Sequence, residues 1–511
     1  MGSGSSGLRG TATGRPAVLR LALLLGLGVL APAGGTAGAD DPPALPGALP
    51  SLAIEVGPSG ATERFAPHPA LATALRAAAL DEPLRIADWP VAPGDRRTVE
   101  VARHDVYAPD ARIVAIGAGG EAEVPRSRLL FFWGAAAGDP SRRVLVSLDP
   151  DTAVYGGLSL TPDGVFEIGP GGSRDEYRLA RRAGPTDPGG GPAGFECGGS
   201  LTHAEDVPPA SAALGEAATS ALSSLHTATV AVDTDNELLS LKFSNNSTNA
   251  SNYLASLVAG MNVIYERDLF VRLLQGYTIL RLSSAADPWT QPSSCPAWPA
   301  TCQSGGASGG QLDEVSDYWA ANYASVPRAL TMLLSGKQSL NNYASGIAWV
   351  NALCSGSNGY SFSQVFKFTN STAADDVDLV AHELGHNFGS RHTHCYPTAT
   401  DPIDRCYNGD ALSGCWAGTE SCPAPFTITP INGGPVENVR GTLMSYCHVR
   451  QQLSCSADPV FHPQSVAVIA PIVDARVGNC VFPNASAVTP VLSTVAPATG
   501  ATAGGTSVTL T

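Results

Sequence analysis

The chain has 511 residues, 44% of them apolar and 15% charged, with 30 Lys and Arg against 45 Asp and Glu and a net charge of -15. That length exceeds one ordinary domain, and so much apolar residue excludes a globally disordered chain. The acidic balance, with no Lys/Arg run, excludes a protein that works by neutralising nucleic-acid phosphates.

At the N-terminus Arg9, Arg15 and Arg20 precede an apolar run over residues 21–30 and the small residues Ala37, Gly38 and Ala39. This is the order of an export signal, so residues 1–39 are expected to be a signal peptide and the protein to be secreted. The apolar run falls short of the roughly 20 residues that cross a bilayer, and stable membrane insertion is not expected. Of eleven cysteines, ten lie from Cys295 to Cys480 and Cys197 stands alone upstream. Ten cysteines suit a disulfide framework in an oxidising compartment, although spacing alone does not give the pairing.

Residues 40 to about 190 hold no cysteine and alternate short apolar runs with turn residues, at 126–133, 143–147 and 164–168. This half is expected to be β-rich. Residues 183–192 are dominated by Pro and Gly and read as a linker. Beyond about residue 225 the pattern becomes α/β. Strands are expected at 227–233, 278–282, 329–334 and 346–350, and helices over 253–266 and 312–323. From Cys395 to Cys455 the chain is loop-rich and depends on its cysteines.

Residues 382–392 read His-Glu-Leu-Gly-His-Asn-Phe-Gly-Ser-Arg-His, or H-E-x-x-H-x-x-G-x-x-H. His382 and His386 stand one helical turn apart on one face, and Gly389 lets the chain turn so that His392 completes a set of three. Three imidazoles with one open position are the donor set of a catalytic zinc ion. Glu383 then serves as general base towards a zinc-activated water that attacks a scissile carbonyl. Thr372 is a candidate cap, Asp375, Asp376 and Asp378 suit the helix N-terminus, and Val377, Val380, Ala381 and Leu384 offer an apolar face.

This motif, with the downstream Gly-Thr-Leu-Met-Ser-Tyr-Cys-His over residues 441–448, resembles the metzincins, and among them the adamalysin/reprolysin-like peptidases. The resemblance spans roughly 225–480 and includes the stretch 346–354. It implies an α/β metzincin catalytic domain with a twisted mixed sheet, an active-site helix and a disulfide-rich lower lobe. It implies zinc as cofactor, Met444 as the Met-turn floor, and a secreted endopeptidase acting on proteins or peptides. Two residues depart from the reprolysin pattern. Thr393 follows the third histidine where Asp is usual, and Tyr446, two residues after Met444, has a spacing closer to astacins and serralysins, with a catalytic or a structural role open. His394 and His448 are expected to be bystanders. Asp233 is the one candidate named for a second ion, calcium, with a solvated acid as the other reading.

Cys197 lies where a latency switch would stand in a metzincin precursor, with a free or intermolecularly paired thiol as the other reading. On the first, residues 40–220 are a β-rich propeptide of a zymogen freed by an activating protease, and residues 221–482 are the protease domain. Arg181-Arg182 is a dibasic processing candidate, but it precedes Cys197, so a further cut between about 200 and 225 is needed. Residues 488–511 resemble the start of a TIG (IPT), immunoglobulin-like domain; a disordered Ala/Thr/Pro-rich tail is the alternative. Two rival functions remain, a non-catalytic binding module and a hydrolase of another amide or conjugate. Intact Glu383 argues against the first.

Overall fold

The structure is a computed structural model that describes residues 43–57, 60–173, 175–182, 224–289, 311–336, 346–365, 372–396, 398, 400–410, 414–448 and 455–484, with two short strands at 495–496 and 509–510. The expected signal peptide, the 183–192 linker, Cys197, Cys295 and Cys302 lie outside these residues. So does the expected TIG-like segment, except for Val495–Ala496 and Thr509–Leu510, which pair antiparallel.

Residues 45–181 supply a ten-stranded sheet. Its middle is an antiparallel succession through Pro83–Ala92, Asp95–His104, Leu130–Ala136, Asp139–Leu148, Tyr155–Thr161 and Gly164–Pro170. Side chains alternate between faces along a strand. Here that alternation splits neighbours between two cores. Phe132, Val144 and Val146 join a cluster with Phe65, Trp89 and Leu179, whereas Phe131, Trp133 and Leu145 join one containing Leu254, Leu257 and Met261 of the long helix Ser247–Leu269. Both faces are covered, so these strands read as apolar runs in place of an alternation.

A second, eight-stranded sheet carries the α/β half. His226–Thr234 lies at its centre, parallel to Val271–Arg281 on one side and Leu330–Ser335 on the other. Tyr360–Gln364 continues the parallel order, and Gly346–Ala348 closes that end antiparallel. The far end was not foreseen. A hairpin of Ile113–Gly117 and Gly120–Val124, from the cysteine-free half, adds to Val271–Arg281. The sheet therefore crosses the boundary expected near residue 220, and the described residues on both sides of it belong to one compact unit.

The expected helices are present as Ser247–Leu269 and Gln311–Asn322. The strand expected at 126–133 begins later, as Leu130–Ala136, because residues 125–129 are held by side-chain bonds, among them Arg126 to the Ala111 carbonyl and the Ser127 hydroxyl to Asn252. Among the described residues, four disulfides join Cys354 to Cys480, Cys395 to Cys415, Cys406 to Cys447 and Cys422 to Cys455. No helix among the described residues is long and apolar enough to cross a membrane.

Asp233 is not a calcium ligand in waiting. Its two carboxylate oxygens accept from Arg281 Nε at 2.9 Å and Nη2 at 2.8 Å, and Trp319 Nε1 adds a third bond at 2.9 Å. The pair is fully buried, so Asp233 neutralises a guanidinium that joins two central strands. Removing one partner of such a pair costs about 3–5 kcal/mol. Asp233→Ala is therefore expected to lower the thermal midpoint sharply, and added calcium is expected to leave the wild-type midpoint unchanged in the same scan.

Candidate metal centre and active site

The active-site helix, Ala373–Asn387, starts with a capping box: Thr372 accepts from the Asp375 amide while the Asp375 carboxylate takes the Thr372 amide. The next acids are each engaged across the helix surface. Asp376 accepts from the Tyr253 hydroxyl at 2.7 Å, and Asp378 pairs with Arg182. Val377, Val380, Ala381 and Leu384 are buried, as expected of the inward face, and Tyr265 donates to the Ala381 carbonyl at 2.9 Å. Segment 349–353 covers the far end, where the amides of Asn351 and Ala352 donate to the His386 and Asn387 carbonyls. Gly389 then adopts φ +113°, which an L side chain rarely adopts, and its amide bonds back to His386. That turn brings His392 back to the helix.

His382, His386 and His392 are fully buried, and their Nε2 atoms converge, His386 lying 3.1 Å from each of the other two. Each ring is held by its other nitrogen. His382 Nδ1 donates to the Leu443 carbonyl at 2.7 Å, His386 Nδ1 to the Ser390 carbonyl at 2.7 Å, and His392 Nδ1 meets the Asp410 carboxylate at 3.2 Å. Carbonyl and carboxylate oxygens only accept, so Nδ1 carries the proton in all three rings. Burial first, and the neighbouring imidazoles second, hold His382 and His386 well below the usual histidine value; burial lowers His392 too. The rings are therefore neutral, and three Nε2 lone pairs face one another.

Three lone pairs at this separation repel unless a cation lies between them. Zinc–imidazole bonds of about 2.0–2.1 Å in tetrahedral array put the nitrogens about 3.3 Å apart, close to the spacing found. The donor set thus fits zinc. Among the described residues the same three histidines form one of the clusters able to hold a metal. A second cluster, His392, His394, Cys395 and Asp410, is not independent of it, because it shares His392 and its Cys395 is tied to Cys415.

Residues 224–434 match the family model Reprolysin_5, metallo-peptidase family M12. The matched segment includes all three histidines and Glu383, and it supports a zinc-dependent, metzincin-like peptidase. No curated protein matches the chain. One solved structure, titled "Structure of a chaperone-substrate complex", is 14% identical, with a TM-score of 0.26, over 49% of this chain. This chain spans only 35% of that one, and at such a score the likeness carries no argument.

The remaining predicted residues gather around the same point. Glu383 is fully buried, and its carboxylate lies against Gly346, where a Cβ would have no room. Met444 is fully buried, and a Cβ at Gly385, between His382 and His386, would fall 2.7 Å from its Sδ. Thr393, the departure from the reprolysin pattern, ties the third ligand to the same turn. Its amide donates to the Met444 carbonyl at 3.0 Å, and its hydroxyl bonds Asp404. Tyr446 places its ring 4.4 Å from His392 and stacks at 6.2 Å on His382. His394, expected to be a bystander, has its Nε2 3.3 Å from Asp410 and its ring stacked on His392 at 5.1 Å. His448 is half-buried near Asp378 and Arg182 with its ring nitrogens shielded from solvent, and desolvation pushes its pKa down to about 4.

Asp410 was missed. It lies 18 positions beyond His392 in a cysteine-held loop, with no periodicity to point to it, yet it fixes the proton of the third ligand. The Leu443 and Ser390 carbonyls were missed because backbone acceptors carry no residue signature. Of the dibasic candidate, Arg181 is exposed, whereas the Arg182 guanidinium is engaged by Asp378 and by the Ala374 carbonyl at 2.8 Å.

Loss of a carboxylate that orients a ligand histidine typically weakens metal binding 10–100-fold. Asp410→Asn is expected to do so in a competition titration with a chromogenic zinc chelator, with circular dichroism unchanged. A second expectation concerns pH. His448 is neutral when folded down to about pH 4, whereas an unfolded histidine takes up its proton near 6.5. Its contribution to stability is thus present above pH 6.5 and is lost as pH falls towards 4. The thermal midpoint of the wild type should fall relative to that of His448→Asn across that window; parallel curves would contradict the assignment.

Proposed function

We propose that the chain is a secreted zinc endopeptidase made as a latent precursor. The observation that carries the reading is the triad of neutral, inward-facing Nε2 atoms with Glu383 buried beside it. A zinc ion held there supplies Lewis acidity towards a carbonyl oxygen and makes a coordinated water more acidic. Glu383 takes the proton of the attacking water and passes it to the leaving amine. Gly346 leaves space for that carboxylate. Met444 lies against Gly385 in the helix turn between His382 and His386, Tyr446 packs its ring beside His392 and His382, and both would keep the ligand geometry fixed.

Cleavage within a chain is favoured by the adjacent sheet. Gly346–Ala348 ends the sheet next to Glu383 and has no strand on its outer side among the described residues. An extended peptide can add there through main-chain hydrogen bonds, which recognise a polypeptide independently of its ends. Export is favoured by the N-terminal signal pattern and by four disulfides around the site. Latency rests on the sequence reading of Cys197, whose thiolate would occupy the open position, with residues 40–220 as the precursor segment and 221–482 as the protease. A cut by an activating protease between about 200 and 225 breaks the covalent connection between Cys197 and the histidines, so that the thiol can leave the open position. The binding-module alternative has no use for a buried Glu383 beside a metal triad.

Processed, zinc-loaded protein is expected to release fragments from an unfolded protein substrate, and chelation to abolish this. Glu383→Ala should lower turnover by at least about 100-fold, the scale of a lost general base, while retaining zinc by elemental analysis. Undiminished turnover in Glu383→Ala would overturn the mechanism, and a zinc-loaded, processed wild type that cuts nothing would favour the binding module.

A further inference from the structure

We infer that residues 43–182 are a permanent part of the catalytic fold, so that a chain cut within 183–223 remains a tightly associated two-chain protein. This departs from a propeptide that leaves on maturation, and it stands whether or not the metal centre cleaves peptides.

The first support is the hairpin of Ile113–Gly117 and Gly120–Val124. It is an element of the catalytic sheet, in parallel register with Val271–Arg281 from the pair Thr278 and Ile113 to the pair Arg281 and Ile116. Backbone bonds extend the seam at both ends. Gln275 donates to the Val106 carbonyl at 2.7 Å, Thr278 to Arg112 at 2.8 Å and Leu282 to Ile116 at 2.9 Å, while Ala108 donates to Gln275 at 3.0 Å. Without this segment a long, largely buried strand would present a bare edge, which proteins normally cover or blunt.

The second support is that the hairpin helps fill the cores on both faces of that sheet. Ile113 and Ala115 pack with the long helix Ser247–Leu269, while Val114 packs on the opposite face with Ala231, Ile279 and Trp319. The third is the ten-stranded sheet itself. Phe131, Trp133, Leu145 and Leu158 belong to the same core as Leu257 and Met261 of that helix. A propeptide that merely covered a finished domain would leave each partner with its own closed core. Here one core is shared.

Charged groups along the seam are paired across it. Arg182 bonds Asp378 on the active-site helix. Arg272 lies between Glu266 at 2.5 Å and Asp81 at 3.6 Å, with its guanidinium 5.3 Å over the Trp133 ring. Departure of residues 43–182 would expose the apolar face of the long helix, separate Asp378 from Arg182, and take Asp81 and the Trp133 ring from Arg272, which would keep only Glu266; that combination favours retention. Maturation on this account is a nick. A cut after Cys197 leaves that cysteine on the docked module, which is then joined to the catalytic region by packing alone.

The test uses the full-length Glu383→Ala protein, so that self-digestion does not enter, with a site-specific protease sequence placed between residues 205 and 210. After complete cutting, the two fragments are expected to co-elute from gel filtration at the volume of the uncut protein. The amides of Gln275, Thr278 and Leu282 should keep their protection in hydrogen exchange. Ala115→Arg, which puts a charge into the seam, should release the N-terminal fragment once the chain is cut; Arg182→Ala, a milder change, should speed exchange at the seam without release. Separation of the cut Glu383→Ala protein into two soluble fragments, with those three amides exchanging freely, would overturn the inference.

Discussion

Everything at the centre of this protein depends on three imidazole lone pairs being made to face one another. Neutral rings left to themselves would turn apart or exchange protons. They cannot, because each Nδ1 proton is held by a different part of the chain: the Leu443 carbonyl next to Met444, the Ser390 carbonyl after the Gly389 turn, and Asp410 from the cysteine-held loop. Burial forbids protonation as an escape. The site is thus preorganised for a cation, with the cost of assembling it carried by the fold.

The disulfides and cores maintain those three holds. Cys406–Cys447 ties the loop after His392 to the segment that follows Met444, and Cys395–Cys415 closes the loop that presents Asp410. Thr393 bonds the Met444 carbonyl and Asp404, so the segment that carries His392 is tied to the one that carries Met444. On the other side the active-site helix rests on Ser247–Leu269, and that helix rests in turn on the sheet of the N-terminal half. A perturbation in residues 43–182 therefore reaches the ligands through two layers of packing.

What the sequence made legible follows from how local each constraint is. His382, Glu383 and His386 could be placed because one helical turn fixes their relation, and Thr372 because a capping box is read within four residues. Met444 could be placed only through family resemblance. Asp410 could not, since its relation to His392 is set by loop geometry. The hairpin at 113–124 went unassigned because its partners, Thr278 to Arg281, are more than 150 positions away and nothing local favours that pairing. Asp233 was misread for a related reason: an acid in a strand gives no hint that a guanidinium 48 positions on will neutralise it.

The central claim is that these three histidines hold a zinc ion through Nε2, and X-ray absorption at the zinc edge on the purified full chain tests it most directly. The account predicts one zinc per chain with three imidazole nitrogens at about 2.0–2.1 Å, reduced to two in His392→Ala. A chain that keeps no zinc after exhaustive loading, or a first shell with fewer than three imidazoles in the wild type, would contradict it.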